Sequence, residues 1–225
     1  MPAGLAGGRA PQRHRGRMRV AALMQAAATV FAEKGFDAAT MTEIAASAGA
    51  PIGSLYQFFA NKEALADALL EQYGELIEAG LAQIEDRAAG LSAMALADAL
   101  LGLIAGLRQE TGAAFALLDA RSDWSARRAE LRHMTRRLIA RILTRRAPQL
   151  APQLVENMAV VLLHNLRAMA ALIADGAEAH PGALTELRDM TGFYVASRLS
   201  GSSDPAPPKP AGSGSAGPER SGDHR

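Results

Sequence analysis

Apolar residues in this chain recur at helical intervals, and nowhere between Arg17 and Ser200 do they alternate with polar ones in a sustained β-branched and aromatic run. The pattern predicts an all-α protein. Val20, Leu23, Met24, Ala27 and Phe31 fall at i, i+3, i+4, i+7 and i+11 on one face of a first helix, with Gly35 placed to stop it. Met41, Ile44, Ala45 and Ala48 repeat the pattern on a shorter second helix. Thr40 and Glu43 have capping-box spacing: the threonine oxygen accepts a first-turn N–H and the glutamate reaches back to the cap, so this helix should start at Thr40. Gly49 then supplies a turn residue free to take positive φ. Pro51 suits the first turn of a third helix, where a missing N–H removes nothing. Leu55, Phe58 and Phe59 are expected to face the first two helices. Two short helices joined by a tight turn have helix-turn-helix geometry.

Further helices are predicted at about 62–87, 92–109, 112–121, 125–146, 150–175 and 182–199. Composition divides the chain into a disordered basic arm (1–17), a helix-turn-helix domain (18–62), a larger helical domain (63–199) and a disordered tail (200–225). The tail, with Pro205, Pro207, Pro208 and Pro210 among many Gly and Ser, cannot bury enough apolar surface to offset its ordering entropy.

At 225 residues and 49% hydrophobic, the chain can build a sizeable core. No uninterrupted apolar run reaches the roughly 18 to 20 residues a bilayer requires, so no membrane span is expected. The N-terminus lacks the apolar segment of a signal peptide, which implies a cytoplasmic protein. With no cysteine there is no disulfide framework, thiolate metal site or cysteine nucleophile. A net charge of +1 hides a local asymmetry: up to Arg19 the charged residues are Arg9, Arg13, Arg15, Arg17 and Arg19, and the first acid is Glu33. A second basic segment runs from Arg121 to Arg146, with Arg128, Arg132 and Arg136 at i+4 steps; the ordinary reading is a solvated face, and an anionic ligand is the alternative.

Gly35-Phe36, Thr40-Met41-Thr42, Ile44-Ala45, Ala48-Gly49, Gly53-Ser54-Leu55-Tyr56, Phe58-Phe59 and Lys62-Glu63 closely resemble the DNA-binding pattern of the tetracycline-repressor (TetR) family. The resemblance implies an N-terminal three-helix helix-turn-helix domain followed by a larger helical ligand-binding and dimerisation domain. It also implies a ligand-responsive repressor that binds a pseudo-palindromic operator in double-stranded DNA as a homodimer. Within it, Tyr56 and Lys62 correspond to phosphate contacts, and Thr40 and Thr42 to backbone contacts near the start of the second helix. Pro51, Ile52, Gly53, Ser54 and Gln57 lie where the chain approaches bases. Phosphate contacts fix register and base contacts specify sequence. Gln57 has the geometry for a bidentate pair with adenine, and Ile52 for packing on a thymine methyl. Two positions depart from the family: Ile52 stands where lysine or arginine is frequent, and Phe58 where tyrosine or histidine is frequent. Both remove polar contacts, which the basic arm could replace at phosphates or in the minor groove.

In the larger domain the resemblance implies dimerisation through the last two long helices. Met158, Val161, Leu162, Asn165, Leu166, Met169, Leu172 and Ile173 form a broad, mostly apolar surface, and Leu184, Leu187, Met190 and Tyr194 give the final helix its own. Met94, Leu103, Phe115, Trp124, His133, His164 and Asn165 are candidate lining residues for a small-molecule effector, with core packing as the competing reading. The chain has no zinc-binding His pair, phosphate-cradling Gly loop or nucleophile motif. An enzyme, a cofactor and a metal are therefore not expected. The remaining alternative is a helical protein-interaction module with a vestigial helix-turn-helix.

Overall fold

The computed structural model describes the backbone of residues 9–120, 125–176, 180 and 182–200, and side chains from residue 15 onward apart from 108–124 and the same later gaps. Every element among the described residues is helical: α1 (Arg9–Ala38), α2 (Met41–Ser47), α3 (Ile52–Phe58), α4 (Lys62–Arg87), a 3-10 turn (Ala88–Gly90), α5 (Ala93–Ala120), α6 (Ser125–Arg146), α7 (Pro152–Asp175) and α8 (Ala183–Ser200).

Helix α1 begins well before the expected start, so residues 9–17 are helical rather than an unstructured arm. Pro11 falls in its first turn, where no intrahelical N–H is needed, and arginine, glutamine and alanine around it favour the helix. At its other end Gly35 takes φ 76° and breaks the helical path, as its position implied. Helix α5 is continuous where two helices were expected. Gly112 lies in its interior, and the cost of about 1 kcal/mol for a helical glycine is too small to break a well-packed helix. Phe115, Trp124 and residues 201–225, each the subject of an expectation above, lie outside the described side chains or residues.

Helix α5 is the centre of the larger domain, packing against α1, α4, α7 and α8, while α6 lies across α4 and α7. Two of these packings use glycine. A methyl group at Gly80 on α4 would overlap Leu103, and one at Gly192 on α8 would overlap Met94. Arg146 closes one end, its Nε donating to the Leu91 carbonyl at 2.6 Å. Helix α7 is long and apolar enough to cross a bilayer by length and composition, contrary to the expectation from uninterrupted runs. Its apolar residues Val155, Met158, Leu162, Leu166 and Met169 instead enter the core.

Candidate nucleic-acid interface

The helix-turn-helix is built on the cap of α2. Thr40 has extended backbone, the Glu43 N–H donates to Thr40 Oγ1 at 3.2 Å, and the Thr40 N–H donates to Glu43 Oε2 at 3.0 Å. The Thr40 hydroxyl donates to the same oxygen at 2.9 Å, and Lys34 Nζ donates to Glu43 Oε1 at 2.6 Å. Both carboxylate oxygens are thus engaged, and α1 is tied to α2. The hydrogen bond from Lys34, then those from Thr40, hold the Glu43 carboxyl below its ordinary value; the same Lys34–Glu43 bond raises the Lys34 ammonium. A depressed carboxyl contributes its full stabilisation above the ordinary glutamate range and loses it as pH falls through the folded-state value. For Lys34 the contribution is full below the ordinary lysine range and disappears as pH rises through its raised value. Glu43→Gln is accordingly expected to melt slightly below wild type at neutral pH and to converge with it in acid. An equal gap at both pH values in thermal melts would contradict this.

After α2 the chain turns through Gly49, at φ 61°, with the Ala50 N–H donating to the Ala45 carbonyl at 2.9 Å. Helix α3 is anchored by Leu55, which is 0% exposed, and by Phe59, which is buried immediately after the helix ends. Phe58 does not join them. The backbone becomes extended at Phe59, which turns that ring inward and leaves Phe58 42% exposed. The outward face of this region is made by Pro51, Ile52, Gly53, Tyr56, Gln57 and Phe58, with Tyr56 53% and Ile52 39% exposed. Thr40 and Thr42 are exposed at the start of α2.

Two residues expected on this face are occupied elsewhere. Ser54 is buried, and its Oγ accepts from Arg19 Nη1 of α1 at 3.4 Å, so it links α3 to α1 rather than pointing outward to bases. Lys62 Nζ donates to the carbonyls of Phe36 (2.7 Å), Ala39 (2.9 Å) and Asp37 (3.1 Å) and lies 4.5 Å from the Phe36 ring centroid. An ammonium has three N–H donors, and all three are directed at the end of α1, which makes Lys62 a tie between α4 and α1 rather than a free phosphate ligand. Hydrogen bonds to a charged group contribute more than neutral ones, so Lys62→Met is expected to cost about 2 kcal/mol. The corresponding fall in Tm is roughly 4 to 8 °C for a chain of this size. An unchanged Tm in calorimetry would show that the tie carries no stability. Asn61 caps α4, its Oδ1 accepting from the Ala64 N–H at 2.8 Å, a start signal the sequence reading did not use.

The described candidate effector residues fall on several helix faces. Met94 and Leu103 are nine residues apart on α5, which is half a revolution, and they pack against different helices, α8 and α4. His133 and His164 are exposed, His133 within 3.3 Å of Arg136 Nη2. Asn165 Nδ2 donates to Thr191 Oγ1 at 3.0 Å, and that hydroxyl donates to the Leu187 carbonyl at 2.7 Å, a polar link between α7 and α8. The α6 arginines bridge to neighbouring helices: Arg127 to Asp67 and Arg141 to Glu85 on α4, and Arg136 to Glu156 on α7. Of the i+4 stripe Arg128, Arg132 and Arg136, it is Arg136 that takes part in these bridges. On α7, Met158, Leu162, Leu166 and Met169 are core residues, and so is Leu187 on α8. The apolar residues left outward are Val160 and Val161 on α7 and Met190 and Phe193 on α8, with Phe193 68% exposed.

Residues 23–69, from the middle of α1 to the first turns of α4, match the family model described as bacterial regulatory proteins, tetR family. This segment is similar to the DNA-binding region of that family. The HTH-type transcriptional repressor KstR2 of Rhodococcus jostii is 40% identical over 67 residues, covering 26% of this chain and 33% of that protein. The protein of the same name from Mycobacterium tuberculosis strain H37Rv is 42% identical over 67 residues, 30% of this chain and 34% of its own length. The tetR-family match with these relatives therefore spans only about a third of their length. A TetR-like transcriptional regulator from Rhodococcus sp. RHA1 superposes with a TM-score of 0.61 over 81% of this chain and 96% of its own, at 24% identity. The larger domain thus shares the fold of that regulator, while sequence similarity to the curated relatives is confined to one segment.

Proposed function

We propose that this chain is a cytoplasmic transcriptional repressor that binds a pseudo-palindromic operator as a homodimer and is released by a small-molecule effector. The observation that carries the reading is the outward face of α3, where Ile52, Gly53, Tyr56 and Gln57 project from a helix held by Leu55 and Phe59. A recognition helix needs this separation, with one side anchored in the domain and the other free to enter a major groove. Tyr56 would meet phosphate, Gln57 a base edge and Ile52 a thymine methyl. Two-fold pairing through the outer faces of α7 and α8 would set two copies of α3 against two half-sites. The names of the KstR2 relatives support repression as the direction of control.

A second reading, a protein-interaction module with a vestigial helix-turn-helix, is favoured by the exposed apolar side chains of Ile52 and Phe58 on the same face. Fragmented genomic DNA from the source organism, incubated with the purified chain at near-physiological salt and excess competitor, separates the two. Retention of fragments sharing a pseudo-palindrome supports the repressor. Retention without any shared site favours the interaction module.

A further inference from the structure

We propose that the N-terminal half of α1 is a second DNA contact surface, in which Arg15 and Arg19 bind backbone phosphates bordering the groove that α3 enters. The inference rests on the operator-binding reading and adds to it a contact that reads charge rather than sequence. Three observations carry it.

Arg19 is exposed, and its Nη1 donates to Ser54 Oγ at 3.4 Å, which places the guanidinium directly beside the recognition helix. Ser54 directly follows the exposed Gly53 of α3, so the Arg19 guanidinium lies at the edge of the outward face. A guanidinium has five N–H donors, and this hydrogen bond uses one.

Helix α1 is continuous through this segment, so Arg15 and Arg19 stand one above the other at i and i+4, about 6 Å apart along the axis. Both are exposed. Arg17 lies about 200° away from each, on the far side of the helix. Two arginines held in register by a helix lose less freedom on binding than the same residues in a flexible arm.

The charge here is uncompensated. Among the described residues Arg15, Arg17 and Arg19 form no ion pair, and the first acid in the sequence is Glu33. Three arginines of α6 form the contrast, since Asp67, Glu85 and Glu156 answer Arg127, Arg141 and Arg136. A bare basic stripe continuous with the α3 face fits a polyanion running alongside that face, and in this reading the polyanion is the sugar-phosphate strand. The stripe also answers the loss of polar groups at Ile52 and Phe58, because it restores phosphate contacts from a neighbouring helix.

The test measures affinity of the full chain for a random-sequence duplex and for the duplex recovered by genomic selection, between 50 and 200 mM salt. Wild type, Arg15→Ala/Arg19→Ala, Arg15→Lys/Arg19→Lys and Arg17→Ala are compared. Losing two phosphate contacts per protomer is expected to flatten the slope of log K against log salt by about 1.8 for each protomer bound. Both duplexes should weaken by the same factor, leaving their affinity ratio intact. The lysine pair should retain most of the wild-type slope, and Arg17→Ala should match wild type. Wild-type slope in the alanine pair, or an equal loss in Arg17→Ala, overturns the inference while leaving operator binding standing. A wild-type chain that does not prefer the recovered duplex over the random one overturns operator binding itself, and this inference with it.

Discussion

Phe193→Glu is expected to leave the protomer folded and to dissociate the proposed dimer. Phe193 is the most exposed large apolar side chain on α8, and Met190 lies one turn before it on the same outward side. Val160 and Val161 extend the apolar surface on the neighbouring α7. Burying a phenylalanine contributes roughly 1.5 to 3 kcal/mol, and a two-fold interface buries each residue twice. Loss of both rings therefore weakens association by roughly 3 to 6 kcal/mol, or two to four orders of magnitude in the dimer dissociation constant. The added carboxylates increase the effect through desolvation. Sedimentation should show a monomer with wild-type helical circular dichroism. Operator affinity should fall steeply, because a single half-site remains within reach of each protomer. A variant that stays dimeric at wild-type concentrations would show that the α7–α8 face is not the interface.

Leu55→Ala and Gln57→Ala, two residues apart on α3, are expected to fail in opposite ways. Leu55 is fully buried in the cluster that includes Leu23, Ala27, Ile44 and Phe59. Truncating a buried leucine costs about 2 to 5 kcal/mol, combining lost transfer energy with the cavity left behind. For a chain of this size that lowers Tm by roughly 4 to 20 °C and loosens α3 against α1 and α2. Gln57 is exposed, so its removal should leave Tm within error of wild type. It should instead reduce discrimination at one base position by about 1 to 3 kcal/mol. Calorimetry and competition binding on both variants check the pair together. Equal effects on stability would mean that α3 has no division between an anchoring and a reading side.

Much of this architecture was legible because helical periodicity and end signals act locally. The Thr40–Glu43 box, the stop at Gly35 and the span of α4 depend on residues within a few positions of one another. Helix α1 started earlier than expected because the apolar periodicity that placed it begins at Val20, while Pro11 is harmless in a first turn. Side-chain destinations were harder to read. Lys62 resembles a phosphate ligand by position, but its partners are carbonyls 23 to 26 residues earlier, brought near only by the fold. Ser54 depends in the same way on Arg19, 35 residues away.

Helix α8 illustrates a different limit. Leu187 and Val195 on one side, and Met190 and Phe193 on the other, are two apolar stripes of similar strength. Periodicity cannot say which one its own core will cover. The second stripe is the signal on which the proposed partner surface rests. Aromatic, methionine and histidine content likewise does not show on which flank of a helix a side chain falls; Met94 and Leu103, two of the effector candidates, lie on opposite flanks of α5.

The central claim is that the outward face of α3 selects a DNA sequence. Its most direct test is the affinity of the full chain for the duplex recovered from genomic selection against a scrambled duplex of equal length and composition, at near-physiological salt. Specific recognition predicts a preference of about a thousandfold or more, reduced by roughly fivefold or more in Gln57→Ala. Equal affinity for the two duplexes would contradict sequence recognition by this helix.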